Sequence, residues 1–303
     1  MSYVMWKVLF ASLLMTFEHM SCTEESDQSF NDASVLTLPQ SYRVDWMRSI
    51  DDNKLISDIT IPGTHDTMAV HGGPAAECQA WSLADQLRAG IRYLDLRVFA
   101  FDHKLYIMHG IIYQHTTFTE VLSTLRDFLK EYTSEVVFVR VKPDGKLFHK
   151  DEVQGLVEKL IADDEDFWVE AAIPRMGEVR GKIVFLQKDS FKLGIPILGT
   201  DKKDDYEVTH VHEKESMIEA HLKEAEGDCG GGDYVVLSYS SGTGIGTLEG
   251  MFLTPKRIAE KIDPWFYGYL NKLHPEKGSC FGIIAMDFPG FDLIQTVIDL
   301  NQF

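Results

Sequence analysis

The chain has 303 residues, 45% hydrophobic and 25% charged, an ordinary globular composition with material for one large core or two modest ones. Lysine and arginine total 29 against 47 aspartates and glutamates, a formal net charge of −18. Such a balance argues against duplex DNA or any nucleic acid as partner and disfavours electrostatic docking on anionic membranes, so membrane contact would have to be apolar or chemically specific.

The first residues, MSYVMWKVLFASLLMTF, carry one lysine and an apolar run from Val8 to Phe17, followed by polar EHMSCTEESDQ. That is the layout of a secretory leader, and the run is too short to span a bilayer comfortably. The expected organisation is a signal peptide at 1–22, a mobile acidic segment at 23–45, and one domain at 46–303, secreted to the extracellular space. Export exposes cysteines to oxidising conditions, and cleavage leaves Cys78, Cys229 and Cys280, with Cys22 depending on the cut. An odd count permits at most one bridge, whose pairing spacing does not set. No CxxC spacing suggests a zinc site.

Eight short apolar, β-branched runs follow, at 54–61, 91–98, 105–108, 136–141, 182–186, 195–198, 234–239 and 281–286. Several are continuously hydrophobic, as strands of a parallel sheet are when both faces are buried. Helical periods fall between many of them, at 82–89, 118–132, 151–161, 213–225 and 255–273. In the second, Phe118, Val121, Leu122, Leu125, Phe128 and Leu129 share one face, with Thr117 or Thr119 as cap. Eight strands with crossover helices predict a single α/β domain, an irregular (β/α)8 TIM-like barrel, because some crossovers are too short for a helix.

In such a barrel, side chains just past the carboxyl ends of different strands meet at one mouth. His65 and Asp66 follow the first run, Asp95 and Arg97 end the second, and His109 follows the third. Lys142 follows the fourth, Lys188 the fifth and Asp287 the eighth. Two histidines and an arginine supply a base, an acid and a phosphate-binding guanidinium, the parts needed to cleave a phosphodiester without a metal. Histidine suits both proton transfers, since its unperturbed pKa of about 6.5 lets it work either way near neutrality.

The stretch from Ile56 to Gly145, with IPGTHDT, LADQLRAGIRYLDLRV, LYIMHG and EVVFVRVKPDG, resembles the X region of phosphatidylinositol-specific phospholipases C, and GKIVFLQK, DDYEV and FGIIAMDFPG extend the likeness. The resemblance implies that His65 is the general base on the inositol 2-hydroxyl and that His109 protonates the departing glycerol oxygen. The products would be diacylglycerol and inositol 1,2-cyclic phosphate. Asp287 would orient His65 and Asp66 would orient His109. Family members that use calcium bind it through an Asn after the first histidine and a Glu-x-Asp on the second strand. Here those places hold Asp66 and Asp95-Leu96-Arg97. The arginine places a positive charge where the cation would sit, which implies the metal-independent, bacterial-like type with no cofactor and no metal ligands. By the same likeness Lys142, Lys188 and Asp204 would contact inositol hydroxyls and Tyr206 would stack on the ring, with Asp201 and Asp205 competing with Asp204. The expected partner is an inositol phospholipid or a glycosylphosphatidylinositol anchor at a membrane surface, acted on by a monomer.

Other features have plainer expectations. His210 and His212 read as a solvated helix start, Ala162 to Trp168 as a helix end and turn, and Trp265, Phe266 and Tyr267 as core. The loop after the seventh run offers Ile245, Leu248, Met251, Phe252 and Leu253, with Trp81, either to a membrane or to the barrel itself. Two alternatives stand beside the lyase: a metal-dependent glycerophosphodiester phosphodiesterase, which Arg97 disfavours, and a barrel that binds inositol lipid or a protein without turnover.

Overall fold

The structure is a computed structural model that describes residues 28–144, 150–188, 191–200, 206–274, 276 and 278–303. Its strands are β1 (Ile61–Thr64), β2 (Tyr93–Phe101), β3 (Lys104–His109), β4 (Ile112–Thr117), β5 (Val137–Pro143), β6 (Phe167–Trp168), β7 (Ile183–Gln187), β8 (Ile195–Gly199), β9 (Val235–Tyr239) and β10 (Ile283–Met286). The helices are α1 (Leu83–Ala89), α2 (Phe118–Glu131), α3 (Lys150–Leu160), α4 (Met176–Val179), α5 (Val211–Asp228), α6 (Pro255–Leu270) and α7 (Phe291–Asp299). None of the described helices is long and apolar enough to cross a membrane.

Strands β1, β10, β9, β8, β7, β5 and β2 pair in that order, all in parallel, and β2 returns to β1, closing a TIM-like barrel. The ring has seven strands where eight were expected. The run at 105–108 lies outside it, in β3, which pairs antiparallel with β2 and then with β4. The reason is local. Only Asp102 and His103 separate β2 from β3, both at positive φ (47° and 58°), and a two-residue turn can only reverse the chain, whereas a parallel return needs a dozen residues or more. The run at 54–61 contributes only its last residue to a strand, while α7, α4, β4 and β6 were not anticipated.

Period two sorts β2 and β5 into two faces. Leu94, Leu96 and Val98 pack outward among the apolar core, while Tyr93, Asp95 and Arg97 face inward in register with Phe138, Arg140 and Lys142. Interior character therefore shifts from aromatic to charged toward the carboxyl ends. Tyr93 fits because its neighbour in β1 is Gly63, where a Cβ would lie 2.5 Å from the Tyr93 ring. Helix α2 starts in a capping box: Thr117 Oγ1 accepts from Glu120 N–H and Glu120 Oε2 accepts from Thr117 N–H at 2.7 Å.

At the other end, Arg92 and Glu135 form a fully buried ion pair at 2.8 Å, and the guanidinium also donates to the carbonyls of Leu87, Ile91 and Val44. From Gln28 on, the segment expected to be mobile is instead tied to the barrel. Phe30 bridges Pro289, Gly290 N–H donates to Ser29 O at 2.7 Å, and Leu36, Leu38, Tyr42 and Val44 pack on the core. Apolar residues in that stretch supply burial that its acidic neighbours do not cancel. A disulfide joins Cys229, at the end of α5, to Cys280, before β10. The leader and Cys22 lie outside the described residues.

Candidate active site

His65 leaves β1 with its backbone N–H bonded to Met286 O, and Gln79 Nε2 donates to both His65 O (2.8 Å) and Met286 O (3.0 Å), clamping the ends of β1 and β10 together. The next residue, Asp66, has φ 41°, a left-handed conformation uncommon outside glycine, and its N–H reaches Asp95 Oδ2 at 3.3 Å. Thr67 completes the splice: its Oγ1 accepts from Asp95 N–H at 2.8 Å. Two successive side chains thus leave β1 held to β2 on one side and β10 on the other.

The functional groups form one connected set. His65 Nδ1 lies 2.9 Å from Asp287 Oδ1, and His65 Nε2 lies 2.9 Å from Arg97 Nη2. A guanidinium can only donate, so Nε2 is the acceptor and Nδ1 carries the proton, donated to Asp287. Arg97 Nε is 3.0 Å from Asp66 Oδ2, an ion pair rather than an aligned hydrogen bond. The same oxygen is 3.4 Å from His109 Nε2, while His109 Nδ1 donates to Ala76 O at 2.6 Å. His65, Asp66, Asp95 and Asp287 are buried, and His109 and Arg97 are partly open.

Charge and burial compete here. Burial pushes the Asp66 carboxyl up, and Arg97 and His109 only partly offset it. Asp95 is buried too, yet Arg140, 3.1 Å from its Oδ1, and Arg97 hold it far below the usual carboxylate range. Burial alone would lower Arg97, but Asp66 and Asp95 overcome it and keep the guanidinium charged. Lys142 is pushed down, by burial and then by Arg97. Burial sends the Tyr206 phenol well above its ordinary value.

A cavity of about 260 Å³ opens over these groups, lined by His65, Asp95, Arg97, Arg140, Lys142, Lys188, Tyr206, Lys214, Tyr239 and Ser241. The Tyr206 ring lies 5.0 Å from that of His65. Of the residues predicted from sequence to be catalytic or to bind substrate, all but Asp204 gather here or against this set; Asp204 and its competitors Asp201 and Asp205 lie outside the described residues. Arg140, Lys214, Tyr239 and Ser241 were missed. Arg140 was legible, two residues before Lys142 in an alternating strand and thus on the same face, and it donates to Tyr239 Oη at 2.8 Å. Lys214 had no such signal, since it sits one turn into α5 among charged neighbours. Trp81 is buried and so unavailable to a membrane.

Residues 53–189 match the family model described as phosphatidylinositol-specific phospholipase C, X domain. The chain carries this X domain over that stretch. It is 28% identical over 284 residues to a 1-phosphatidylinositol phosphodiesterase of Listeria monocytogenes, covering 85% of each chain. A Staphylococcus aureus protein of the same name is 30% identical over 105 residues, 33% of this chain and 34% of that one. The chain's fold also overlays the solved phosphatidylinositol-specific phospholipase C from Listeria monocytogenes with a TM-score of 0.72, 28% identical over 86% of this chain and all of that one. A Staphylococcus aureus enzyme structure, 19% identical with a TM-score of 0.71 over 86% of this chain and 98% of that one, shares the fold. The groups joined from Asp287 to His109 come from just past β10 and β1, from within β2 and from the end of β3, so Asp287 joins the set from outside the matched stretch.

Proposed function

We propose that the chain cleaves phosphatidylinositol to diacylglycerol and inositol 1,2-cyclic phosphate. The observation that carries this is the unbroken series Asp287, His65, Arg97, Asp66, His109 at one barrel mouth. His65 Nε2, with its lone pair outward, takes the proton of the inositol 2-hydroxyl as that oxygen bonds to phosphorus. The phosphorus–oxygen bond to glycerol breaks, and His109 Nε2 protonates the departing oxygen. Arg97 neutralises the phosphoryl oxygens, and drawing its guanidinium onto them uncovers His65 Nε2. Asp66 serves both Arg97 and His109, and Asp95 with Arg140 stiffens the floor. With Arg97 between the two carboxylates, the reaction runs without a divalent cation.

Lys142, Lys188 and Asp204 hold the inositol hydroxyls, and Tyr206 stacks on the ring. Free phosphatidylinositol and a glycosylphosphatidylinositol anchor share this reacting unit, and both are substrates to test. Leu248, Met251 and Phe252 stand exposed on the rim after β9, which supports apolar contact with a lipid surface; Leu253 packs on the core instead. The Cys229–Cys280 bridge supports export to an oxidising compartment.

Purified protein on phosphatidylinositol vesicles in chelator, with phosphorus NMR of the product, tests the proposal. Turnover to the cyclic phosphate is expected, and His65→Ala or His109→Ala should each cost on the order of 10²–10⁴ in rate. Wild-type turnover no faster than the variants leaves a lipid-binding barrel; activity that needs added cation overturns the metal-free mechanism.

A further inference from the structure

Behind the two imidazoles lies a group that the proposed reaction does not use. Cys78 is fully buried, and burial, reinforced by the carboxylates of Asp287 and Asp66, pushes its thiol well above the ordinary value. It is a neutral thiol, and the free cysteine among the described residues. Two triads share its sulfur. Donor atoms of His65, Cys78 and Asp287 all lie within 4.8 Å of one another, and so do those of Asp66, Cys78 and His109.

Sulfur, imidazole nitrogen and carboxylate oxygen together are the donors of a zinc site with three protein ligands and one open position. Asp287 adds an independent sign. Its Oδ2 is buried with no hydrogen-bond partner, a costly state that a cation would relieve. The first triad is the better of the two. All three of its residues are buried, whereas Asp66 is already engaged by the Arg97 guanidinium at 3.0 Å, whose charge opposes a second cation there. With bonds of about 2.0–2.3 Å, His65 Nδ1 and Asp287 Oδ1, now 2.9 Å apart, must part slightly to admit the ion.

We propose that His65, Cys78 and Asp287 form a binding site for a thiophilic divalent cation such as Zn2+ or Cd2+, and that its capture shuts the catalytic centre. The thiol releases its proton to solvent, so thiolate and carboxylate match the charge of the ion. His65 binds through Nδ1, and the proton that Nδ1 carried moves to Nε2. Nε2 then has no lone pair for the inositol hydroxyl, and Arg97 Nη2, now 2.9 Å away, must withdraw from it. Calcium and magnesium, which demand oxygen donors, do not compete. The site stands on its own geometry; only the inhibition rests on the proposed lipid cleavage.

The test uses the full chain with Cys22→Ser, so that Cys78 is the reduced thiol left once Cys229 and Cys280 are bridged. Cadmium is titrated while its thiolate charge-transfer absorbance is followed, and zinc is titrated against turnover of phosphatidylinositol vesicles. One equivalent of cadmium should give the band, and zinc should inhibit reversibly by chelator, with calcium silent. Cys78→Ala and Cys78→Ser, each checked by thermal unfolding, should lose the band and need at least about tenfold more zinc for the same inhibition. No band in the parent, or band and inhibition unchanged in both folded variants, overturns the site. Absence of turnover without metal in every form would instead sink the lipid-cleavage reading, and the cadmium band would still decide the metal site.

Discussion

Arg97 touches both halves of the proton-transfer apparatus, 2.9 Å from His65 Nε2 and 3.0 Å from Asp66 Oδ2. Removing it strips the charge from the phosphoryl oxygens and leaves Asp66 buried with less compensation. Arg97→Ala should lower turnover by on the order of 10²–10³, the usual cost of losing one transition-state donor. Arg97→Asp would place three carboxylates, with Asp66 and Asp95, around the same spot, and calcium should then restore part of the lost rate. An Arg97→Ala rate equal to wild type, or an Arg97→Asp rate indifferent to calcium, contradicts this role. Asp263, on α6, is a different kind of residue: buried, with Oδ2 unpartnered, and raised well above the carboxylate range by burial and then by Asp287. A raised folded-state pKa means its contribution is fully present below the unfolded value of about 4 and is lost as pH climbs through the folded one. Asp263→Asn cannot ionise. Its melting temperature should therefore gain on wild type as pH rises from mildly acidic to alkaline, and a gap constant with pH would rule this out.

Two elements extend the mouth beyond the ring. The β3–β4 hairpin brings in His109 and, two residues on, presents Ile111 almost fully exposed. Across the opening, the loop after β9 exposes Leu248 and Phe252. In a chain of net charge −18, neither tip would be held to an anionic surface by general attraction, so apolar insertion is the available means. The double variant Leu248→Asp and Phe252→Asp should weaken sedimentation with vesicles while leaving turnover of a soluble inositol phosphodiester within about twofold, because exposed loop changes away from a site cost little stability. Equal sedimentation of variant and wild type would assign the loop to the barrel alone. The hairpin was misjudged from sequence as a parallel strand because its apolar run was weighed without the Asp102–His103 turn that reverses it. Residue type identified the strand; turn length decided its direction.

For the whole molecule, the Cys229–Cys280 bridge closes a segment of sequence separation 51 that holds all of β9 and α6. Chain-entropy arguments put such a closure at about 4 kcal/mol. Reduction, or Cys229→Ser with Cys280→Ser, should lower the denaturant midpoint by the corresponding amount without displacing the catalytic groups, none of which is a cysteine. Identical midpoints for the oxidised and reduced protein would show that the barrel is indifferent to the bridge.

Strand character, the α2 face and its Thr117 cap, and the run of polar residues at strand ends were all legible in the chain, because each is set by neighbours a few residues apart. Those periodicities were sufficient to anticipate an irregular barrel and to point at His65, Arg97 and His109. What only the tertiary structure decided was every relation across the ring: seven strands rather than eight, the pairing of Cys229 with Cys280, the insertion of Arg140 beside Asp95, and the placement of Cys78 against both catalytic pairs. Closure of a parallel sheet brings together residues as far apart as His65 and Asp287, 222 positions from each other, and no local propensity encodes which side chains then share the space at its mouth.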